Sequence, residues 1–195
     1  MAADNRRMFT PVSCLSRLRR CRAVLLLAGA GLLCGGCAPA LDWRDVAVAD
    51  GLVIQFPCRP ERAERAVRLL ERSVPARMSS CDAGGLGWSV TLFEIDEPAR
   101  VSETLRHLRS RLAANLQAEE SQAQEATGPG LTPQQEARRL LLRGRGADAR
   151  AVEAEVLIAA RGLQVLQVVA ITRGEPVSRW RDRAQEFIGS LRPAP

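Results

Sequence analysis

The chain has no lysine, no tyrosine and one histidine, and only three tryptophans and four phenylalanines in 195 residues. Without lysine, every basic side chain is arginine. This bias is ascribed to codon usage in a GC-rich genome, since arginine favours phosphate or carboxylate partners only where it is clustered. His107 is the sole imidazole. No Ser-His-Asp set and no zinc ligand set can be assembled around it. Cys58 and Cys81, the two cysteines beyond the N-terminal 37 residues, do not form a CxxC, and no internal repeat of 20–50 residues is visible. The longest apolar run near the N-terminus is Ala23 to Leu33, eleven residues, too short to span a bilayer.

What is present is a marked asymmetry of charge. Arg6, Arg7, Arg17, Arg19, Arg20 and Arg22 stand against Asp4 in the first 36 residues. That segment carries +5 of the formal +6 and leaves the rest at +1. The basic balance belongs to the leader, so it gives no support for nucleic-acid binding. A positive segment followed by a short apolar one is the pattern of a secretion signal. Met8 is an alternative start that would give a more ordinary leader.

The run Leu32-Leu33-Cys34-Gly35-Gly36-Cys37 decides the kind of signal. Its end resembles a bacterial lipoprotein lipobox, with Cys34 where that motif prefers leucine. The resemblance implies a signal peptide over 1–36 and a diacylglyceryl thioether on Cys37, with a further acyl group on the freed amine. One buried chain gives only marginal binding, whereas two or three hold firmly. Ala38, in place of aspartate, implies sorting to the outer membrane with the protein facing the periplasm. An ordinary secretory signal cut near Ala38 or Ala40 is the alternative.

Six cysteines sort on the same basis. Cys14, Cys21 and Cys34 leave with the signal, and Cys37 is taken by lipid. Cys58 and Cys81 remain, in an oxidising compartment, and are expected to pair as a structural disulfide. Such a loop contributes on the order of 3 kcal/mol.

After a lipidated tether over 37–45, about 159 residues from Cys37 onward suffice for one domain with its own core, placed at 46–192. Strands are expected at 51–56, 64–73 and 76–81, the last two joined at Val74-Pro75. A Gly84-Gly85-Leu86-Gly87 turn leads to a strand at 88–95, with Trp88, Val90 and Leu92 on one face. Asp96 and Pro98 start a helix of about five turns, striped by Val101, Leu105, Leu108, Leu112 and Leu116. The stripe is lost at 119–124. Gly128-Pro129-Gly130 marks a loop. Residues 132–146 read as a turn and then a strand. A hairpin follows over 152–160 and 163–172, turning at Arg161-Gly162. A last helix begins near Pro176, with Val177, Trp180, Ala184, Phe187, Ile188 and Leu191 on one face. The fold class is α+β: an antiparallel sheet of about six or seven strands flanked by two main helices, preceded by an N-terminal signal helix.

Two short elements carry a second resemblance. Phe56-Pro57-Cys58-Arg59-Pro60 and Phe187-Ile188-Gly189-Ser190-Leu191-Arg192 resemble the FPxxP and closing signatures of PsbP/Mog1-like domains, with Leu191 in place of an aromatic. The layout also resembles uncharacterised proteobacterial envelope lipoproteins. The resemblance implies a central antiparallel sheet flanked by helices and a binding or assembly-support role, without shared catalytic residues.

Other candidate sites have plain structural explanations. His107 sits about 240° round its helix from Val101, off the apolar stripe, and is expected to be exposed. Glu94, Asp96 and Glu97 suit a strand end and a helix N-terminus. Arg138, Arg139, Arg143, Arg145 and Arg150 form the densest basic run. Arg139, Arg143 and Arg145 would share one strand face as a candidate patch for an anionic partner, although a charged sheet edge also deters aggregation.

The first reading is therefore an anchored lipoprotein whose periplasmic domain binds or supports another envelope component without catalysis. Its partners would be membrane lipid through acylated Cys37 and an envelope protein, with no nucleic acid, cofactor or metal. The alternative is a lipid or small-ligand domain with a pocket between sheet and helix. A third is a hydrolase of unspecified type. An apolar cavity beside Trp43, Trp88 or Trp180 would favour the ligand, and a flat apolar patch a protein partner.

Overall fold

The residues with the strongest period-two alternation build the middle of the sheet, where both faces are covered. A computed structural model describes residues 41–172 and 178–195. The expected signal helix, Cys37 and the start of the last helix near Pro176 lie outside the described residues. Among the described residues, ten strands and two helices run in the order β1 (Arg44–Ala49), β2 (Leu52–Phe56), β3 (Glu61–Leu69), β4 (Arg72–Ala83), β5 (Leu86–Glu94), α1 (Ala99–Asn115), β6 (Glu119–Glu125), β7 (Arg138–Arg145), β8 (Ala151–Arg161), β9 (Gln164–Thr172), α2 (Trp180–Gly189) and β10 (Arg192–Pro193). The fold class is α+β, with a seven-stranded sheet ordered β3-β4-β5-β9-β8-β7-β6 and a three-stranded sheet ordered β1-β2-β10. Every neighbouring pair is antiparallel.

Two cores lie on opposite faces of the large sheet. One gathers Trp88, Val90 and Leu92 of β5 with Leu52, Ile54 and Phe56 of β2 and Trp180, Phe187 and Ile188 of α2. The other gathers Phe93 of β5 with Val101, Leu105 and Leu108 of α1 and Ala154, Val156 and Ile158 of β8. The alternation of β5 thus holds as expected, and β8 and β9 feed both cores. Burying each such large side chain contributes roughly 1.5–3 kcal/mol relative to exposure. Contacts gather Ala40–Pro195 into one compact unit. It contains both cores, so it has the burial needed to fold alone.

An aromatic chain runs through the first core. Trp43 meets Trp88 edge-on at 6.0 Å, Trp88 meets Phe187 at 5.2 Å, and Phe187 meets Phe56 at 5.2 Å. A disulfide joins Cys58, just after β2, to Cys81 in β4, and so ties the small sheet to the large one.

Several expected boundaries move. The β3–β4 turn lies at Leu70-Glu71, both at positive φ (46° and 65°), and not at Val74-Pro75. Counted from this two-residue turn, Ala66 and Pro75 form a non-hydrogen-bonded pair. The proline nitrogen therefore points away from β3, beyond the last β4–β5 pair at Ala76 and Phe93, where no ladder bond is lost. The last hairpin turns at Gly162-Leu163, one residue later than expected. Strand β1 is additional and takes in Arg44 and Asp45, at the end of the segment read as tether; its turn to β2 is Asp50-Gly51. Strand β6 is also additional: all seven residues are exposed, and it holds the sheet edge by pairing with β7.

Gly144 of β7 is required by close approach. A Cβ there would stand 2.2 Å from the carbonyl oxygen of Leu116, which accepts a hydrogen bond from the Arg145 amide at 2.6 Å. This contact pins the end of α1 to the sheet and sets where the helix stops covering it.

Candidate functional site

The helix α1 covers only part of its sheet face. It packs on β8 and β9, while the β3–β4 hairpin lies further along the sheet. Between them lies a groove of about 280 Å³. Its floor and walls are apolar: Val67 and Leu69 from β3, Ala76 from β4, Phe93 from β5, and Leu108 and Leu112 from α1. Alternation explains the set. Odd residues of β3, even residues of β4 and odd residues of β5 point to this face, and the helix brings its stripe at spacing four.

Met78 completes the apolar lining from β4 and is one of two large apolar side chains exposed among the described residues, at 37%. Thr91, Gln167 and Asn115 add neutral polar groups. Among the described residues, the only charged lining ones are Arg65 of β3 and Arg111 of α1, and both are exposed. Arg111 donates from Nη1 to the Arg68 carbonyl at 3.2 Å. Neither guanidinium faces a carboxylate among the described residues. The tryptophans lie elsewhere, in or against the first core.

The sequence-derived candidates are placed as follows. Cys37 lies outside the described residues. Cys58 and Cys81 form the disulfide. Arg139, Arg143 and Arg145 do share one face of β7, but each is engaged. Arg139 Nε stands 3.7 Å from Glu155 and Arg143 Nε 3.0 Å from Glu153, both on β8. Arg145 donates to the Ala149 carbonyl at 3.2 Å. The strand is interior, covered by β6, so these charges do not line a sheet edge.

Glu155 is the buried acid of this region, and sequence reasoning missed it. Arg181 of α2 reaches it at 3.3 Å and also donates to Gln122 Oε1 of β6 at 2.9 Å. One Nη of Arg139 is buried without a hydrogen-bond partner among the described residues. Two guanidinium groups around one carboxylate stitch β6, β7, β8 and α2 together. Removing the carboxylate would leave two half-buried guanidinium groups without their shared acid.

His107 is half-buried rather than exposed. The acids Glu94, Asp96 and Glu97 are tied to arginines: Glu94 to Arg77 at 2.9 Å, and Asp96 and Glu97 to Arg72 at 2.8 and 2.9 Å. Burial pushes the Asp96 carboxyl up, but its own backbone amide, Arg72 and Arg100 outweigh this and hold it below the usual range. The Arg109 guanidinium holds Glu120 low, against a smaller upward push from burial. Arg192 does the same for Asp45. No group of three or more His, Cys, Asp or Glu that could hold a metal occurs among the described residues. No described helix is long and apolar enough to cross a membrane.

No protein-family model matches the chain, and no curated protein matches it. Among the described residues, the groove beside α1 is a concave feature with a largely apolar lining.

Proposed function

We propose that the chain is a lipid-anchored envelope protein, held through Cys37 at the periplasmic face of the outer membrane. Its α+β domain works by binding, and the component it binds is a small apolar or amphipathic molecule seated between α1 and the β3–β4 hairpin. The observation that carries this reading is the groove of about 280 Å³ with its apolar floor. Small-ligand sites are concave, mostly apolar and fitted with a few polar groups.

The groove lies between sheet and helix, where a ligand-binding domain would have it, though away from the tryptophans. A broad protein-docking face has less behind it: Met78 and Leu163 are the large apolar side chains exposed among the described residues, and Met78 belongs to the groove. A PsbP/Mog1-like fold is part of the proposal. Its support is that the two signature segments meet, Phe56 on Phe187, with Ser190 Oγ accepting the Gln55 amide at 2.9 Å.

The test is Nile red added to the oxidised Ala40–Pro195 unit. Its emission should rise and blue-shift, and Thr91→Trp or Ala63→Trp, which fill the groove, should abolish the rise while leaving the melting temperature near that of the parent. An unchanged rise in both folded variants removes the groove as the site. Separately, Cys37→Ser in the full chain should move the protein from the membrane to the soluble periplasmic fraction; unaltered partitioning would remove the anchor.

A further inference from the structure

Resting on the groove as the binding site, we infer that its ligand is a single-chain fatty carboxylate, with the chain on the apolar floor and the head on Arg65 and Arg111. Among the described residues, the groove is lined by two guanidinium groups and by no carboxylate. Elsewhere on the same sheet, arginines such as Arg72, Arg77, Arg139 and Arg143 stand against acids. Arg65 and Arg111 come from opposite walls, β3 and α1. Their planar forks match a carboxylate. A cationic amphiphile would meet like charge, and an uncharged one would leave both guanidinium groups without a counter-ion.

Size and edge chemistry narrow the occupant. About 280 Å³ lies just below the usual span of ligand sites, roughly 300–1,000 Å³, so one chain with a compact head fits better than a glycerophosphate lipid. A second copy adding a strand beside β3 is disfavoured. That edge carries Glu61, Arg62, Glu64 and Arg65 in close succession, all exposed, and alternating charge on an edge deters pairing.

The experiment is calorimetric titration of the oxidised Ala40–Pro195 unit with four probes below their micelle concentrations: dodecanoate, monododecanoylglycerol, dodecyltrimethylammonium and 1-dodecanoylglycerol 3-phosphate. Dodecanoate should bind tightest, about tenfold or more over the ammonium probe. The double variant Arg65→Gln/Arg111→Gln should weaken dodecanoate about tenfold and move the uncharged probe less than about twofold. Equal binding of dodecanoate and the ammonium probe, or an unaffected double variant, overturns the head-group assignment and leaves the groove reading standing. Tighter binding of the phosphate probe overturns the carboxylate. If no probe binds, or if binding survives Thr91→Trp, the groove reading falls as well. A concentration-dependent dimer broken by Ala63→Trp would give the groove to a second copy and overturn the proposal.

Discussion

Arginine is the currency of charge in this protein, and most of it is spent locally. Arg109 shows what one contact does. Its Nε donates to Glu120 Oε1 at 2.5 Å and a second nitrogen meets Oε2, across the gap between α1 and β6. The arginine pulls the Glu120 carboxyl below its ordinary 4.5, against the upward push of partial burial. Since the folded value lies below the unfolded one, the unfolded chain binds more protons between them. The contribution to stability is complete above pH 4.5 and is lost as pH falls through the folded value. Urea midpoints from about pH 6 to about pH 3 should therefore fall more steeply for the parent than for Glu120→Gln. Parallel curves would show that the pair adds no proton linkage.

At the scale of elements, the β3–β4 hairpin is the most strained feature. Leu70 and Glu71 both take left-handed backbone, a turn that favours Asn-Gly and costs other residues on the order of 1 kcal/mol each. Replacing the pair by Asn-Gly should stabilise the domain by about 1 kcal/mol and raise its melting temperature by about 3 °C. A lower melting temperature would mean that the Leu70 side chain contributes packing worth more than the strain. This turn also explains a limit of legibility. Leu70-Glu71 carries no turn signal, whereas Pro75 does, so reading by residue type moves the turn four residues. β5, α1, β8 and β9 are legible because burial repeats in them at period two or at the helical spacing. β6, Glu-Glu-Ser-Gln-Ala-Gln-Glu, has no apolar face and exists as a strand only because β7 offers it an edge. β1 had a signal in Asp50-Gly51, a dipeptide suited to two-residue hairpins, with Val46 as its one buried apolar residue.

For the whole molecule, the groove was the least legible part. Arg65 and Arg111 lie 46 positions apart in the chain and share no local pattern; the fold alone makes them co-line one cleft. Its existence depends on where α1 stops, which Gly144 sets by admitting the Leu116 carbonyl. The disulfide was legible by counting cysteines, and its role is global: it joins the small sheet to β4 across a separation of 23 residues. Reduction, or Cys58→Ala with Cys81→Ala, should lower unfolding free energy by about 3 kcal/mol. Guanidinium titrations with and without reductant would check this, and coincident curves would contradict it.

The aromatic chain sets what light can report from this molecule. With no tyrosine, near-ultraviolet absorption comes almost wholly from Trp43, Trp88 and Trp180, all of them in or against one core. Intrinsic fluorescence is thus a private signal of that face, well placed to follow opening of the disulfide. The opposite face, where the groove lies, is spectroscopically dark. Thr91→Trp would switch on a lamp there, so the variant that plugs the groove also gives it an optical voice.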